Sequence, residues 1–402
     1  MAKQNFINMS YNFSDDSINL SLLKERAFNL RWAQVPEGVI PLTAADPDFP
    51  SAPEIAEALA RFVKDSYFPY VPAEGYLFFR EAIANFYEQK RNFKISPNRI
   101  LPVDSAAFGI LVACKAVLKP GDEAIIFDPV DFLFKHCIEQ VGASAKSLPI
   151  PLDPTAAIDL QKLKALLTPR TKMLCLCNPV NPTGKVFTKE ELEAIASFAI
   201  EHNLIILSDE IWSDIVFKPN VYTSIASLNP EIAKRTITVS GYSKSYGLAG
   251  LRVGFVMASD AKLFKDLFEA SGHASTVHGC NALAQVAAST ALNECAYWLH
   301  DFVEHLQRMR DLSLREISTI PGFSCQSPQG CYLLFCNIEK TGYDSASLQT
   351  LLLEKAKVAV VPGLPRWFGE GAAGHIRICF STSENILTEA FSRIRQCLNA
   401  VK

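Results

Sequence analysis

Residues 173–209 read MLCLCNPVNPTGKVFTKEELEAIASFAIEHNLIILSD, and the order of patterns within them decides the fold. Met173 to Cys177 is an apolar run of strand length, the signature of a strand buried on both faces. A turn follows, Asn178-Pro-Val-Asn-Pro-Thr-Gly184, rich in residues that break regular structure. Thr188-Lys-Glu-Glu191 is a capping box, in which the threonine and the glutamate satisfy orphan N–H groups at a helix start. It opens the helix-period segment Leu192 to Glu201, after which a second apolar run, Leu204 to Leu207, ends on the polar pair Ser208-Asp209. Strand, turn, capped helix and strand together make a crossover unit, the building block of a parallel sheet.

The same alternation extends outward through Glu123 to Phe127, Thr236 to Val239 and Val253 to Met257. A mostly parallel sheet with helices on both faces is therefore expected. In such sheets ligands bind beyond the carboxyl ends of the strands, where Asn178 to Gly184, Asp209 and Ser240 to Lys244 all fall. From Asn281 to Ile320 the pattern is helical with no Pro or Gly, long enough for a connecting rod. After Pro321-Gly322 come strand-like Tyr332 to Ile338, a helix near Leu348 to Ala356, strand-like Val358 to Val361 and Ile376 to Phe380, and an amphipathic helix, a compact α+β pattern. The segment before Pro47 is too irregular to place. These divisions predict a large domain over 47–290 and a smaller one made of 1–46 with 291–402.

Composition removes several classes of function. Net charge is −3 with interspersed signs, so no Lys/Arg stripe is available to neutralise a nucleic-acid backbone. The longest uncharged stretch, Ala274 to Asn293, is too rich in Ala, Ser, Thr and Asn to span a membrane. No secretory pattern is visible in Met-Ala-Lys-Gln-Asn-Phe, so the expected location is the cytoplasm, where the sequons at Asn8 and Asn12 mean little. The 11 cysteines are odd in number and sit in apolar runs, which reads as reduced core residues. Neither a Cys-x-x-Cys pair nor a His-Glu-x-x-His helix occurs, so no metal is expected. Gly369-Glu-Gly-Ala-Ala-Gly374 matches Gly-x-Gly-x-x-Gly but precedes a strand instead of opening a helix, which argues against dinucleotide binding.

Three polar clusters at strand ends, far apart in sequence, suit the needs of a pyridine-based electron sink: an amine, a carboxylate for the ring nitrogen, donors for a phenolic oxygen, and a phosphate cradle. Ser240-Gly-Tyr-Ser-Lys-Ser-Tyr-Gly-Leu-Ala-Gly-Leu-Arg252 is the strongest piece. It resembles the lysine segment of fold-type I enzymes dependent on pyridoxal 5'-phosphate (PLP), specifically the class I/II aminotransferases and the related cystathionine β-lyase-like C–S lyases. The resemblance covers nearly the whole chain, from about Ile40 onward. It implies an α/β fold, with a large domain built on a mostly parallel seven-stranded sheet and a smaller α+β domain.

By that resemblance Lys244 carries PLP as a Schiff base and shuttles the α-proton, while Ser243 and Arg252 bind the phosphate. Asn181, in Asn178-Pro-Val-Asn-Pro-Thr-Gly184, donates to the phenolic oxygen and lies by the substrate. Asp209 faces the ring nitrogen, with Glu210 read as a bystander. Arg377, in Gly374-His-Ile-Arg-Ile-Cys-Phe380, clamps the substrate α-carboxylate, a planar bidentate contact. Val361-Pro-Gly363 and Trp367-Phe-Gly369 resemble the loop leading into that strand. Ser105, Ala106 and Ala107 lie where a helix start cradles the phosphate. Ala44-Ala-Asp-Pro-Asp-Phe49, with Asp46, resembles a loop that closes over substrate, and Tyr70-Val-Pro-Ala-Glu-Gly75 an element that reaches the neighbouring subunit's phosphate in a homodimer.

Three positions depart from the family pattern. Trp212 stands where a tyrosine usually helps set the imine's protonation, and an indole offers only an N–H donor. Asp131 occupies the slot of the aromatic that stacks on the ring, leaving Phe132 to take over; an acid there would suit a cationic or amine-bearing substrate. Gly241 replaces a serine often used for the phosphate. The expected reaction is transamination between an amino acid and a 2-oxo acid. The alternative is C–S β-elimination, suggested by Ala45-Asp-Pro-Asp-Phe49 and Asp209-Glu-Ile-Trp-Ser-Asp214, which resemble the lyase branch. A PLP-sensing regulator is disfavoured by the absence of a helix-turn-helix segment.

Overall fold

The computed structural model describes residues 10–400, so the Asn8 sequon and the first residues lie outside the described part. Seven strands form the principal sheet: β2 (Ile100–Val103), β3 (Glu123–Asp128), β4 (Ser144–Pro149), β5 (Thr171–Cys177), β6 (Ile205–Asp209), β7 (Thr236–Gly241) and β8 (Gly254–Met257), following a short β1 (Ile40–Pro41). Their order is β2-β8-β7-β6-β5-β3-β4. The central strands run parallel, and β8 is antiparallel to both its neighbours. All five apolar runs named from the sequence are strands, and β5, β6 and β7 are almost wholly buried, as expected for strands covered on both faces. The capping box at Thr188 forms as expected and starts the helix Lys189–Glu201.

A four-stranded sheet of β9 (Ser324–Cys325), β10 (Leu333–Asn337), β12 (Val361–Pro362) and β13 (His375–Cys379) occupies the C-terminal third, while β11 (Val358–Ala359) pairs with β1. The stretch Val358 to Val361, read as one strand, is thus two, with partners in different sheets. The expected rod over 281–320 is also two helices, Ala282–Glu294 and Ala296–Ser318, broken at Cys295, whose backbone leaves the helical region (φ −107°, ψ 23°). Neither Gly nor Pro marks that break. A continuous apolar core joins the principal sheet to the C-terminal sheet through residues such as Trp298, Phe302 and Tyr332. All 11 cysteines are free, and all but Cys325 are buried. Among the described residues no helix is long and apolar enough to cross a membrane.

Gly254 lets the sheet approach the start of the helix Ala106–Val117, and Gly241 lets β7 lie close to β8. Gly241 and Gly254 are paired in register on β7 and β8. A Cβ on Gly254 would lie 2.8 Å from the Ala106 nitrogen, and one on Gly241 would lie 2.9 Å from the Val253 carbonyl oxygen. The second contact explains why glycine stands where the family often has serine. We expect Gly254→Ala to displace the helix start, lowering stability by roughly 1–3 kcal/mol and weakening PLP binding at least about tenfold, about 1.4 kcal/mol. Thermal melts and a PLP titration check both; unchanged affinity would show that the helix start is not part of the cradle.

Candidate active site

A cavity of about 390 Å³ opens at the carboxyl ends of the parallel strands. It gathers Asn181 after β5, Asp209 and Trp212 at and after β6, Ser243, Lys244 and Arg252 after β7, and Arg377 from β13. Ser105, Ala106 and Ala107 contribute the start of a helix, and Phe132 part of the wall. Thus almost every residue singled out from the sequence meets in one place. Two do not line it. Tyr70 is 86% exposed and its ring meets that of His278 at 5.0 Å between centroids, and Asp46 lies outside the cavity lining, though its charge is felt by Lys244. A larger cavity, about 1110 Å³, lies beside the helices Leu77–Arg91 and Ala296–Ser318, but it holds none of these residues, and its half-buried cation Arg91 is already paired with Asp214.

Each element supplies its group for a local reason. Ser105 caps the helix Ala106–Val117, its Oγ accepting the Phe108 N–H at 3.1 Å, while the first-turn N–H groups of Ala106 and Ala107 have no intrahelical partner. Such N–H groups, with the helix dipole behind them, favour an anion. Arg252, at φ 57°, makes no ion pair among the described residues. Lys244 Nζ donates to the Ala45 carbonyl at 2.6 Å and lies 5.6 Å from the Trp212 ring centroid. Burial, with Arg377 nearby, pushes the Lys244 ammonium below the ordinary lysine range, which favours the neutral amine that attacks an aldehyde.

Asp209 ends β6 with one side-chain partner, the Ile211 N–H at 3.0 Å. Burial above all, then the Asp131 and Glu210 carboxylates, raise its pKa to about 7. A cation at this carboxylate, such as a protonated ring nitrogen, would relieve that cost. Glu210, read as a bystander, is instead fully buried and accepts from Ser224 Oγ at 2.6 Å, Tyr87 Oη at 3.0 Å and Ser208 Oγ at 3.2 Å. It ties β6 to the helix Leu77–Arg91 and so fixes the strand end that presents Asp209.

Arg377 is buried; it donates to Asn181 Oδ1 at 3.1 Å and to the Thr43 carbonyl at 3.2 Å, and its Nε is left without a partner. An unpartnered buried N–H on a guanidinium facing the cavity is what an incoming carboxylate requires. Asn181 Nδ2 donates to Asp131 Oδ2 at 2.8 Å, and the Leu133 N–H reaches Asp131 Oδ1 at 3.2 Å. The Asp131 turn is stitched to the loop over the cavity: the Val130 and Phe132 N–H groups donate to the Phe368 and Trp367 carbonyls, and Asp128 accepts from the Glu370 and Gly371 N–H groups. Phe132 meets Trp367 edge to face at 5.7 Å between centroids. The Ala44–Ala45 segment is held by Arg31, which is buried, paired with Asp48, and donates to the Pro41 and Ala44 carbonyls.

The site therefore offers a cradle for phosphate, a carboxylate for a ring nitrogen, an amide for a phenolic oxygen and an amine, which fits PLP. Sequence reasoning missed the carbonyls of Thr43 and Ala45 and the wall residue Leu30. Backbone carbonyls carry no side-chain signal, and Leu30 reaches the cavity through a left-handed conformation (φ 64°) that no leucine advertises.

Asp209 gives a pH test. An unfolded aspartate titrates near about 3.9, so between there and about 7 the cofactor-free folded protein holds a proton that the unfolded chain has released. Stability is therefore lost as pH rises through that window. Asp209→Asn cannot ionise, so cofactor-free variant and wild type should diverge in melting temperature between pH 5 and pH 8, the variant gaining, by at most about 4 kcal/mol. A difference that stays constant across that range contradicts this account.

The chain matches the family model described as aminotransferase class I and II over residues 37–394. It is 32% identical over 365 residues to the aspartate aminotransferase of Bacillus sp. (strain YM-2), covering 89% of this chain and 90% of that protein. The crystal structure of an aromatic aminotransferase from Pyrococcus horikoshii superposes with a TM-score of 0.85 at 29% identity, over 95% of this chain and 99% of that one. Cystalysin from Treponema denticola, whose structure contains PLP, gives a TM-score of 0.90 over 98% of this chain and 100% of that one; at 22% identity it shares the fold alone. With its seven-stranded sheet and C-terminal sheet, the chain belongs to the class I and II aminotransferases, the PLP-dependent transferases of fold type I.

Proposed function

We propose that this protein moves an amino group between an amino acid and a 2-oxo acid, with PLP attached at Lys244. The observation that carries the reading is the convergence of Lys244, Asp209, Asn181, Arg252 and Arg377 on one cavity from four separate segments. When bound, PLP supplies an aldehyde that condenses with amines and a protonated ring that takes up the electron pair left at the substrate α-carbon. Asp209 keeps the ring nitrogen protonated. Asn181 donates its remaining amide hydrogen to the phenolic oxygen. The N–H groups of Ala106 and Ala107, with Ser105, Ser243 and Arg252, hold the phosphate, and Arg377 orients the substrate by its α-carboxylate. Lys244, whose neutral form burial favours, would take the proton from the α-carbon and return it to the acceptor carbon. Trp212, buried against Tyr332, holds Lys244 beneath its ring face and keeps water away.

Relatives at about this level of identity are named aminotransferases, which favours transamination over β-elimination. The exposed aromatics Tyr67, Phe68 and Tyr70 form an apolar surface of the kind that marks a subunit interface. They support a homodimer in which Tyr70, turned away from its own cavity, serves the neighbouring site. The cofactor-binding unit is taken as 47–290, the smaller unit as 1–46 with 291–402, and the compartment as the cytoplasm.

Lys244→Ala should lose the lysine-linked cofactor absorbance and at least about a hundredfold of turnover; a fully active variant would sink the assignment. Arg377→Lys keeps the charge but not the planar fork, and kcat/KM should fall about 10–100-fold. Single amino acids added without an acceptor should convert the cofactor to its amine form. Steady pyruvate release from cystathionine would instead favour the lyase.

A further inference from the structure

The charged groups lining the cavity are three cations, Lys244, Arg252 and Arg377, and two acids, Asp131 and Asp209. On the reading above, on which this inference rests, four of the five have tasks: Arg252 takes the phosphate, Asp209 the ring nitrogen, Lys244 the reacting amine and Arg377 the α-carboxylate. Asp131 is left over. It stands one residue from Arg377, with only the Asn181 amide between them, the guanidinium donating to Oδ1 and Nδ2 donating to Asp131. Both Asp131 oxygens accept hydrogen bonds, from Asn181 and from the Leu133 N–H, and these with the nearby Arg377 favour the ionised carboxylate against the burial that pushes its pKa up. With both oxygens occupied, Asp131 is poorly placed to receive a substrate ammonium, so its charge acts mainly at a distance.

A substrate seated on Arg377 brings its side chain toward that charge, and among this chain's described residues lining the cavity no cation remains to pair a second carboxylate, Arg366 lining an adjoining space instead. The walls offer something different. Phe132, Trp367, Phe368, Leu30 and Val361 face the cavity, and Leu30, Val361 and Trp367 also wall an adjoining space of about 250 Å³ lined mainly by apolar side chains. We propose that Asp131 is a specificity-determining residue that excludes amino acids and 2-oxo acids bearing a second carboxylate, and that the site takes monocarboxylic substrates with apolar side chains. Like charges a few ångströms apart in a partly dry site repel strongly enough to set such a preference. Because donor and acceptor use the same cavity in turn, the rule holds for both half-reactions.

The test uses the holoenzyme and two carboxylates that lack an amine and cannot react, maleate and 3-phenylpropionate, with dissociation constants from calorimetry. Wild type should bind 3-phenylpropionate at least about tenfold more tightly than maleate. Asp131→Asn, whose Oδ1 can still accept from the Leu133 N–H, should shrink that ratio at least about tenfold through tighter maleate binding. Asp131→Ser removes the charge with a different shape and should move the ratio the same way. Equal binding of the two probes by wild type, or a ratio unmoved by both variants, overturns the proposal. Single-turnover cofactor conversion separates the two readings. If phenylalanine and leucine convert the cofactor and aspartate and glutamate do so at least about tenfold more slowly, both stand; equal rates overturn the exclusion alone. Discrimination between the probes with no conversion by any amino acid overturns transamination and leaves the exclusion standing.

Discussion

At the end of β6 a carboxylate, Asp209, is buried with a single backbone N–H for company and other acids nearby. An ionised carboxyl in such a place is expensive, and nothing in the protein compensates it fully. The neighbouring charges share that condition: Lys244 is held by a carbonyl, and Arg377 by an amide and a carbonyl with its Nε–H unpartnered. Charges left incompletely paired inside a fold favour a ligand that brings the opposite ones. A phosphate, a protonated ring and a substrate carboxylate would together complete the set, so on the proposed reading cofactor and substrate finish the electrostatics that the chain leaves open.

Two parts of the fold must stay in register for this to work. The groups proposed to hold the cofactor come from the carboxyl ends of the principal sheet, whereas Arg377, proposed to clamp the α-carboxylate, comes from β13 in the C-terminal sheet. The hydrogen bonds between 128–132 and 367–371 fasten the two beside the cavity, and Gly369 allows the closeness: a Cβ there would collide with the Asp128 carboxylate. Asp128 thereby ties the turn that carries Asp131 to the loop that carries the Trp367–Phe368 wall.

The principal sheet was largely legible because a strand buried on both faces has to be written in apolar residues. β4 (sequence SAKSLP), a half-exposed edge strand, and β2, short and interrupted by a proline, carry no such run and were not foreseen. The break at Cys295 was equally silent, since a helix can end where tertiary packing turns the chain without any breaking residue. In the site, the motif residues converged as their strand-end positions implied. What the sequence left dark were groups defined only by folding: the Ala45 and Thr43 carbonyls, Leu30 in its left-handed conformation, and the burial that turns Glu210 from an acidic neighbour into the brace of Asp209.

The central claim is that Lys244 is the residue that holds PLP. Borohydride reduction of the reconstituted protein fixes the cofactor to whichever lysine carries it, and peptide mapping by mass spectrometry then locates the adduct. The account predicts one stoichiometric phosphopyridoxyl group on Lys244, lost on prior exchange of the cofactor for buffer. An adduct on another lysine, or none despite tight PLP binding, would contradict it.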